Sequence, residues 1–232
     1  MMKIMTFNTQ HCLNYKEQKI DFDIMAKAIV DYGADIVGLN EMYDNGIDDF
    51  DRQTPILSEL TGLSYSYFAR AITEREGEYG NGFISRYPIR NAETIMIPDP
   101  EPKRYPGGFY ETRCLLKAEL ENGYTVLVTH FGLNPDEQEN AVDIILKYIK
   151  NEKCILMGDF NVEPDNPILS PIKEKMKDTA DLMPSSLLSW PSDEPRMKID
   201  YIFVSHDITV TSADIPSVVA SDHRPHIAEI RE

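Results

Sequence analysis

Eight side chains that can move protons or bind a hard cation stand at the ends of, or inside, apolar strand-like runs: Asn8, Glu41, His130, Asp159, Asn161, Asp200, Asp222 and His223. The stretch CILMGDFNVEP (154 to 164) shows the pattern, since a run that begins as a buried strand ends in Asp159 and Asn161 on either side of Phe160. Along an extended chain residues i and i+2 share a face, which predicts that Asp159 and Asn161 look one way while Phe160 enters the packing. Taken alone, DFN reads better as a turn in which Asp and Asn bond their own backbone. A lone buried Asp is normally paired or capping, and a lone His is normally a satisfied packing residue. Taken jointly, so many breaches of apolar patterning point to function.

Two β-helix-β units would position these groups. Residues 2 to 8 (MKIMTFN) read as a strand, residues 21 to 32 carry Ile24, Met25, Ala28 and Ile29 at helical spacing, and residues 35 to 40 (DIVGLN) return to a strand that ends at Glu41. The unit recurs as YTVLVTH (124 to 130), a helix capped by Asn134 and Pro135 with Ala141, Val142, Ile145, Leu146 and Ile149 as its stripe, and then CILMGDF. A polar residue closes each of the four strands, so two halves of one fold would bring Asn8, Glu41, His130 and Asp159 together. Between the units lie YGNGFISRYPI, NAETIMI and FYETRCLLKAELENGYTVLVTH, where Asn122-Gly123 predicts an antiparallel hairpin of strands near 110 to 120 and 124 to 130. The sheets are therefore expected to be mixed. Residues 99 to 106 (DPEPKRYP) are expected to form a surface loop, a further helix is expected near 166 to 176, and MKIDYIFVS, residues 207 to 212 and HIAEI are expected to be strands.

At 232 residues with 42% apolar composition the chain is expected to form one globular domain, 1 to 232. Thirty-nine acidic against 23 basic residues give a formal charge of −16, which repels polyanions and disfavours a dedicated nucleic-acid-binding role. No apolar run approaches membrane-spanning length, and MMKIMTFNTQ moves straight into a strand pattern without a signal peptide, so a cytoplasmic monomer is expected. Cys12, Cys114 and Cys154 are odd in number and widely spaced, as buried free thiols would be.

TFN (6 to 8), LNE (39 to 41), GNGFISRYPI (80 to 89), THF (129 to 131), GDFN (158 to 161), IDYIFVS (199 to 205) and SDHRPH (221 to 226) resemble, in order, the motif set of the endonuclease/exonuclease/phosphatase superfamily. The family includes deoxyribonuclease I, exonuclease III, neutral sphingomyelinases and inositol polyphosphate 5-phosphatases. The resemblance implies an α/β (α+β) four-layer sandwich of two packed mixed sheets flanked by helices. Hydrolysis of a phosphate ester needs charge neutralisation, an aligned water and protonation of the departing oxygen. Carboxylate and amide oxygens without a cysteine set suit Mg²⁺ or Mn²⁺. By the family pattern Glu41 is the principal metal ligand, with Asn8 and Asp222 in support. Asp200 orients His223 to hold or deprotonate the attacking water, Asp159 assists the nucleophile or leaving group, Asn161 donates to a non-bridging oxygen, and His130 is a phosphate donor or general acid.

The expected activity is a divalent-metal-dependent phosphodiesterase or phosphatase acting on a small-molecule or lipid-derived phosphate ester. A metal-dependent nuclease is the alternative, and a catalytically dead binding module is a third reading that the intact residue set argues against. Asn81 in GNG and Arg113 in ETRCLL are further candidate substrate contacts, with a plain turn and a buried ion pair as their respective alternatives. The chain departs from the family in LNE, where Gln is commoner before the Glu, and at Ser85, which stands where deoxyribonuclease I has the carboxylate that partners its histidine. Trp190 in LSWPSDEP is expected to pack its loop rather than stack on substrate. The acidic run YDNGIDDFD (43 to 51) lacks EF-hand spacing and reads as a solvated loop. The Lys103-Arg104-Tyr105 cluster reads as solvated surface, with a site for a second phosphate or headgroup as its alternative.

Overall fold

A computed structural model describes residues 1–105, 107–184 and 186–231. The first unit runs through β1 (Met2–Asn8), the small hairpin β2 (Leu13–Asn14) and β3 (Lys19–Ile20), α1 (Phe22–Tyr32) and β4 (Ile36–Asp44). Asp21 starts α1 by accepting from the Ile24 amide, and Met25, Ala26, Ala28 and Ile29 form the buried face that ties it to the sheet. Then come α2 (Gln53–Thr61), β5 (Tyr65–Thr73), β6 (Glu78–Ser85), β7 (Ile89–Ile97) and β8 (Arg113–Leu120). The second unit is β9 (Thr125–His130), α3 (Pro135–Ile145) and β10 (Cys154–Asp159), followed by α4 (Ser170–Lys175), β11 (Met176–Asp178), β12 (Asp200–Ser205), β13 (Thr209–Asp214) and β14 (His226–Arg231).

The doubling read from the sequence extends to whole sheets. One has the order β13-β14-β1-β4-β6-β5 and the other β7-β8-β9-β10-β12-β11. In each, only the central pair is parallel, β1 with β4 and β9 with β10, and every other neighbour is antiparallel. Side-chain alternation makes the layers. Ile4, Ile36, Val126, Val128, Ile155 and Met157 share a core between the sheets, whereas Met5, Val37 and Leu39 face α1, and Leu127 and Leu156 face α3 and α4. The sheets approach closely at Gly38, where a Cβ would stand 2.7 Å from Met157 Sδ. The result is the expected four-layer α/β sandwich.

Boundaries differ where local chemistry interrupts a run. β4 does not end at Glu41 but continues to Asp44 through a bulge: Leu39 pairs with Gly82 and Met42 with Gly80, leaving one extra residue on β4. The helix expected at 166 to 176 is a 3₁₀ turn, Pro167–Leu169, passing into α4, because Asn166 caps it and Met176 already pairs with β12. The strand expected at 207 to 212 starts at Thr209, since the Asp207 carboxylate is used as acceptor for the Lys153 amide in the preceding turn. The 99 to 106 segment is a loop as far as Tyr105, and position 106 lies outside the described residues. In that loop Lys103 pairs with Asp99 and Arg104 with Glu139, so local carboxylates occupy both cations.

Candidate active site

The parallel pairs of both sheets end at one place. On the second sheet, His130 lies opposite Asp159 across β9 and β10, and Asp159 lies opposite Asp200 across β10 and β12, so register alone sets these three residues in a row. On the first sheet Asn8 lies opposite Asn40, next to Glu41. His223 arrives from the loop before β14.

Asp159 is the meeting point. It is 1% exposed, and its Oδ2 accepts from Asn8 Nδ2 at 3.1 Å and stands 3.6 Å from both His130 Nε2 and His223 Nε2. Its Oδ1 accepts from the Asn161 amide at 2.9 Å, and its own amide donates to Asn40 Oδ1 at 3.0 Å. The expectation of one extended face for Asp159 and Asn161 is therefore corrected. The strand stops at Asp159, Asn161 is left-handed at φ 51°, and the local turn and the site coexist because they use different carboxylate oxygens. Phe160 does enter the packing, with its ring 4.5 Å from Phe131 and 5.3 Å from Tyr201. Asn161 Nδ2 donates one hydrogen to the Phe131 carbonyl at 3.0 Å and has a second one to offer.

His223 Nδ1 contacts Asp200 Oδ2 at 2.8 Å, and Asp200 is fully buried. Burial alone would lower the His223 imidazole; the Asp200 and Asp159 carboxylates outweigh it and raise it. Burial pushes the Asp159 carboxyl up, against the opposing pull of His223. His130 behaves oppositely: burial, reinforced by Arg113 and His223, holds it well below its ordinary value, so it is neutral. Its tautomer follows from its neighbour. Arg113 has only donors and its guanidinium lies 3.2 Å from His130 Nδ1, so Nδ1 accepts and Nε2 carries the proton. Arg113 also pairs with Glu111, the buried ion pair foreseen for it, and lines the same cavity as His130. Ser85 serves the turn below it by accepting from the Tyr87 amide at 2.9 Å.

Glu41 stands in the bulge with φ 60°, a conformation that costs a non-glycine residue about 1 kcal/mol or more and that turns its carboxylate to the cavity. Burial raises its carboxyl, Asp222 adds to the effect, and Asn8 Nδ2 opposes it with a 3.0 Å hydrogen bond. Asn8 Oδ1 accepts from the Gln10 amide, so the Asn8 side chain braces Glu41 and Asp159 together. Asp222 is half-buried and lines the cavity. Asp159, Asp200 and His223 also bring ligand atoms within 4.8 Å of one another, but the close Asp200–His223 contact is a hydrogen bond within the set. Glu41 and Asp222, hard oxygen donors open to the cavity with Asn8 behind them, are the better fit to a Mg²⁺-like ion.

Two residues stand apart from their expected roles. Asn81 does not line the cavity: its Oδ1 accepts from Asn40 at 2.8 Å and its Nδ2 donates to the Cys114 carbonyl at 2.9 Å, so it joins the sheets. Trp190 does line the cavity and remains 36% exposed, so its indole is not committed to packing the loop. Asn40 is the residue that sequence reasoning missed. Its amide spans from β4 to Asn81, the Thr129 carbonyl and the Asp159 amide, and its signal was the Asn in LNE. The cavity holding these groups measures about 440 Å³.

A sequence model described as the Endonuclease/Exonuclease/phosphatase family matches residues 5–223. No curated protein matches the chain. Among solved structures, an endonuclease/exonuclease/phosphatase from Bacteroides vulgatus is 22% identical with a TM-score of 0.76, over 99% of this chain and 98% of that one. A mannosyl-6-phosphatase from Bacteroides thetaiotaomicron is 13% identical with a TM-score of 0.77 and full coverage of both chains, at 100% each. The human Nocturnin catalytic domain is 19% identical with a TM-score of 0.70, over 99% and 94%.

Proposed function

Because the chain belongs to the endonuclease/exonuclease/phosphatase family, we propose that it is a divalent-metal-dependent phosphoesterase that hydrolyses a small-molecule or lipid-derived phosphate ester. The observation that carries this reading is the convergence on Asp159 Oδ2 of two imidazole Nε2 atoms, at 3.6 Å each, from rings whose proton affinities are driven in opposite directions, in a cavity that also holds Glu41, Asp222 and Arg113. Titratable groups whose environments drive their proton affinities apart are what acid and base assistance require.

His130, neutral with its hydrogen on Nε2, is a donor to a non-bridging phosphoryl oxygen, and the free hydrogen of Asn161 Nδ2 is a second. Arg113 supplies a fixed positive charge beside His130. Asp200 holds His223 by Nδ1, which aims Nε2 toward Asp159. In the reaction a water oxygen bonds to phosphorus as the ester P–O bond breaks. One proton leaves the water for the Asp159–His223 pair and one is returned to the departing alcohol oxygen. Glu41, braced by Asn8, and Asp222 would hold Mg²⁺ or Mn²⁺, which would supply charge against the negative oxygens of the phosphoryl group.

A small ester is favoured over a polymer because the cavity is about 440 Å³ and Arg113 is its single Lys or Arg among the described residues, on a chain of net charge −16. The reading treats residues 1–232 as one catalytic domain, since the site draws on both sheets. The test is a panel of phosphate monoesters, diesters, lipid phosphates and plasmid DNA with Mg²⁺ or Mn²⁺, run beside D159N. Hydrolysis of small esters that D159N loses supports the reading. Silence across the panel counts against it, and plasmid nicking without ester turnover replaces it with a nuclease.

A further inference from the structure

Resting on the phosphoesterase reading, we infer that the ester cleaved here carries one phosphoryl group on an apolar alkyl or aryl alcohol, and that Trp190 is the side chain that recognises the apolar part. The cavity is divided in its chemistry. The charged lining consists of the groups described above, and the rest, apart from Asn161, is Leu133, Trp190, Met197 and Ile199. Two of these are large apolar side chains left wet, Leu133 at 58% and Trp190 at 36% exposed, and both adjoin the reacting groups. An exposed apolar patch continuous with a polar site is a binding wall for the apolar portion of a ligand.

The backbone that carries the indole is held in place. Trp190 and Met197 form an antiparallel bridge, with the Trp190 amide donating to the Met197 carbonyl at 3.0 Å and the Met197 amide returning a bond at 2.9 Å. The residues on either side of Trp190 are tied to the His223 loop: the Ser192 amide donates to the Asp222 carbonyl at 2.7 Å, Ser192 Oγ to the Ser221 carbonyl at 2.6 Å, and the Arg224 amide to the Ser189 carbonyl at 2.8 Å. The ring has no aromatic partner among the described residues. An indole with an open face, on a backbone fixed relative to the His223 loop, is placed for a flat or chain-like apolar group. The charge pattern favours a single phosphoryl group, because Arg113 is the one guanidinium or ammonium in the lining among the described residues and leaves no second side-chain cation for a further phosphate.

Trp190 is the sole tryptophan, so intrinsic fluorescence reads this site directly. The experiment titrates methyl-, butyl- and hexylphosphonate in Mg²⁺ by fluorescence, beside hydrolysis of the matching alkyl phosphates, whose alkanols are of closely similar acidity. Expected are a blue shift, competition by inorganic phosphate, and an affinity that rises roughly threefold to fourfold per methylene until the wall is covered. In hydrolysis, kcat/KM follows the same order; in W190A that order flattens, while W190F, which keeps an apolar face, retains part of it. Equal affinity for methyl- and hexylphosphonate, or an unmoved emission, overturns the inference. Hydrolysis without chain-length preference overturns it and leaves the phosphoesterase reading standing, whereas a chain-length-dependent fluorescence series with no hydrolysis does the reverse.

Discussion

At Asp159 each carboxylate oxygen has its own task, one closing the turn to Asn161 and the other facing Asn8, His130 and His223. The residues that met here were legible because a buried Asp or His in an apolar run breaks patterning. Asn40 and Trp190 were not: Asn40 acts through backbone groups of another sheet, and the exposure of an indole depends on a loop closed by distant bonds. Replacing the Asp200 carboxylate by an amide as D200N removes the negative charge that holds and orients the His223 imidazolium; kcat is expected to fall about 10²- to 10⁴-fold with KM little changed, read by steady-state kinetics. His226 offers a pH test away from the proposed ligands. It donates from Nδ1 to the Asp200 carbonyl and accepts at Nε2 from Thr179, and burial holds it down to about 3. A folded-state value below the unfolded one means stability that is complete above about pH 6.5 and is lost as pH falls toward the folded value. The difference in urea midpoint between wild type and H226Q is therefore expected to shrink from pH 7 to pH 4. A difference that stays constant would contradict neutral burial.

Elements deliver these residues by register. The two parallel pairs and their helices were readable from apolar periodicity, and the matched sheets confirm the doubling. The bulge at Glu41 was not readable, because DIVGLNEMYD continues as an apolar strand and only the pairing of Leu39 with Gly82 and Met42 with Gly80 exposes the extra residue. Gly158 is the most exacting position in the second unit. Its φ is 146°, and a Cβ there would stand 1.8 Å from the Thr129 carbonyl oxygen on β9, a backbone atom that cannot turn away. G158A is expected to cost roughly 3 kcal/mol or more, or to prevent folding, by chemical denaturation. A near-neutral result would mean that β9 and β10 do not hold this register beside Asp159.

On the scale of the whole molecule, the charge of −16 surrounds a site for which we propose an anionic substrate. Like-charge repulsion slows encounter and salt screens it, so kcat/KM for an anionic small ester is expected to rise modestly between low and physiological ionic strength, the reverse of a nuclease that depends on basic contacts. Composition made the charge legible from the start; it carried no information about the apolar wall proposed to receive the alcohol, which depends on side chains from separate loops. The most direct measurement is the rate of bis(p-nitrophenyl) phosphate hydrolysis against Mg²⁺ and Mn²⁺ concentration for wild type and E41Q, with EDTA reversal. Wild type is expected to gain activity with metal and lose it to EDTA, and E41Q to need at least about tenfold more metal or to stay inactive. Hydrolysis that survives EDTA, or an E41Q titration that overlays wild type, would contradict metal-dependent chemistry at this site.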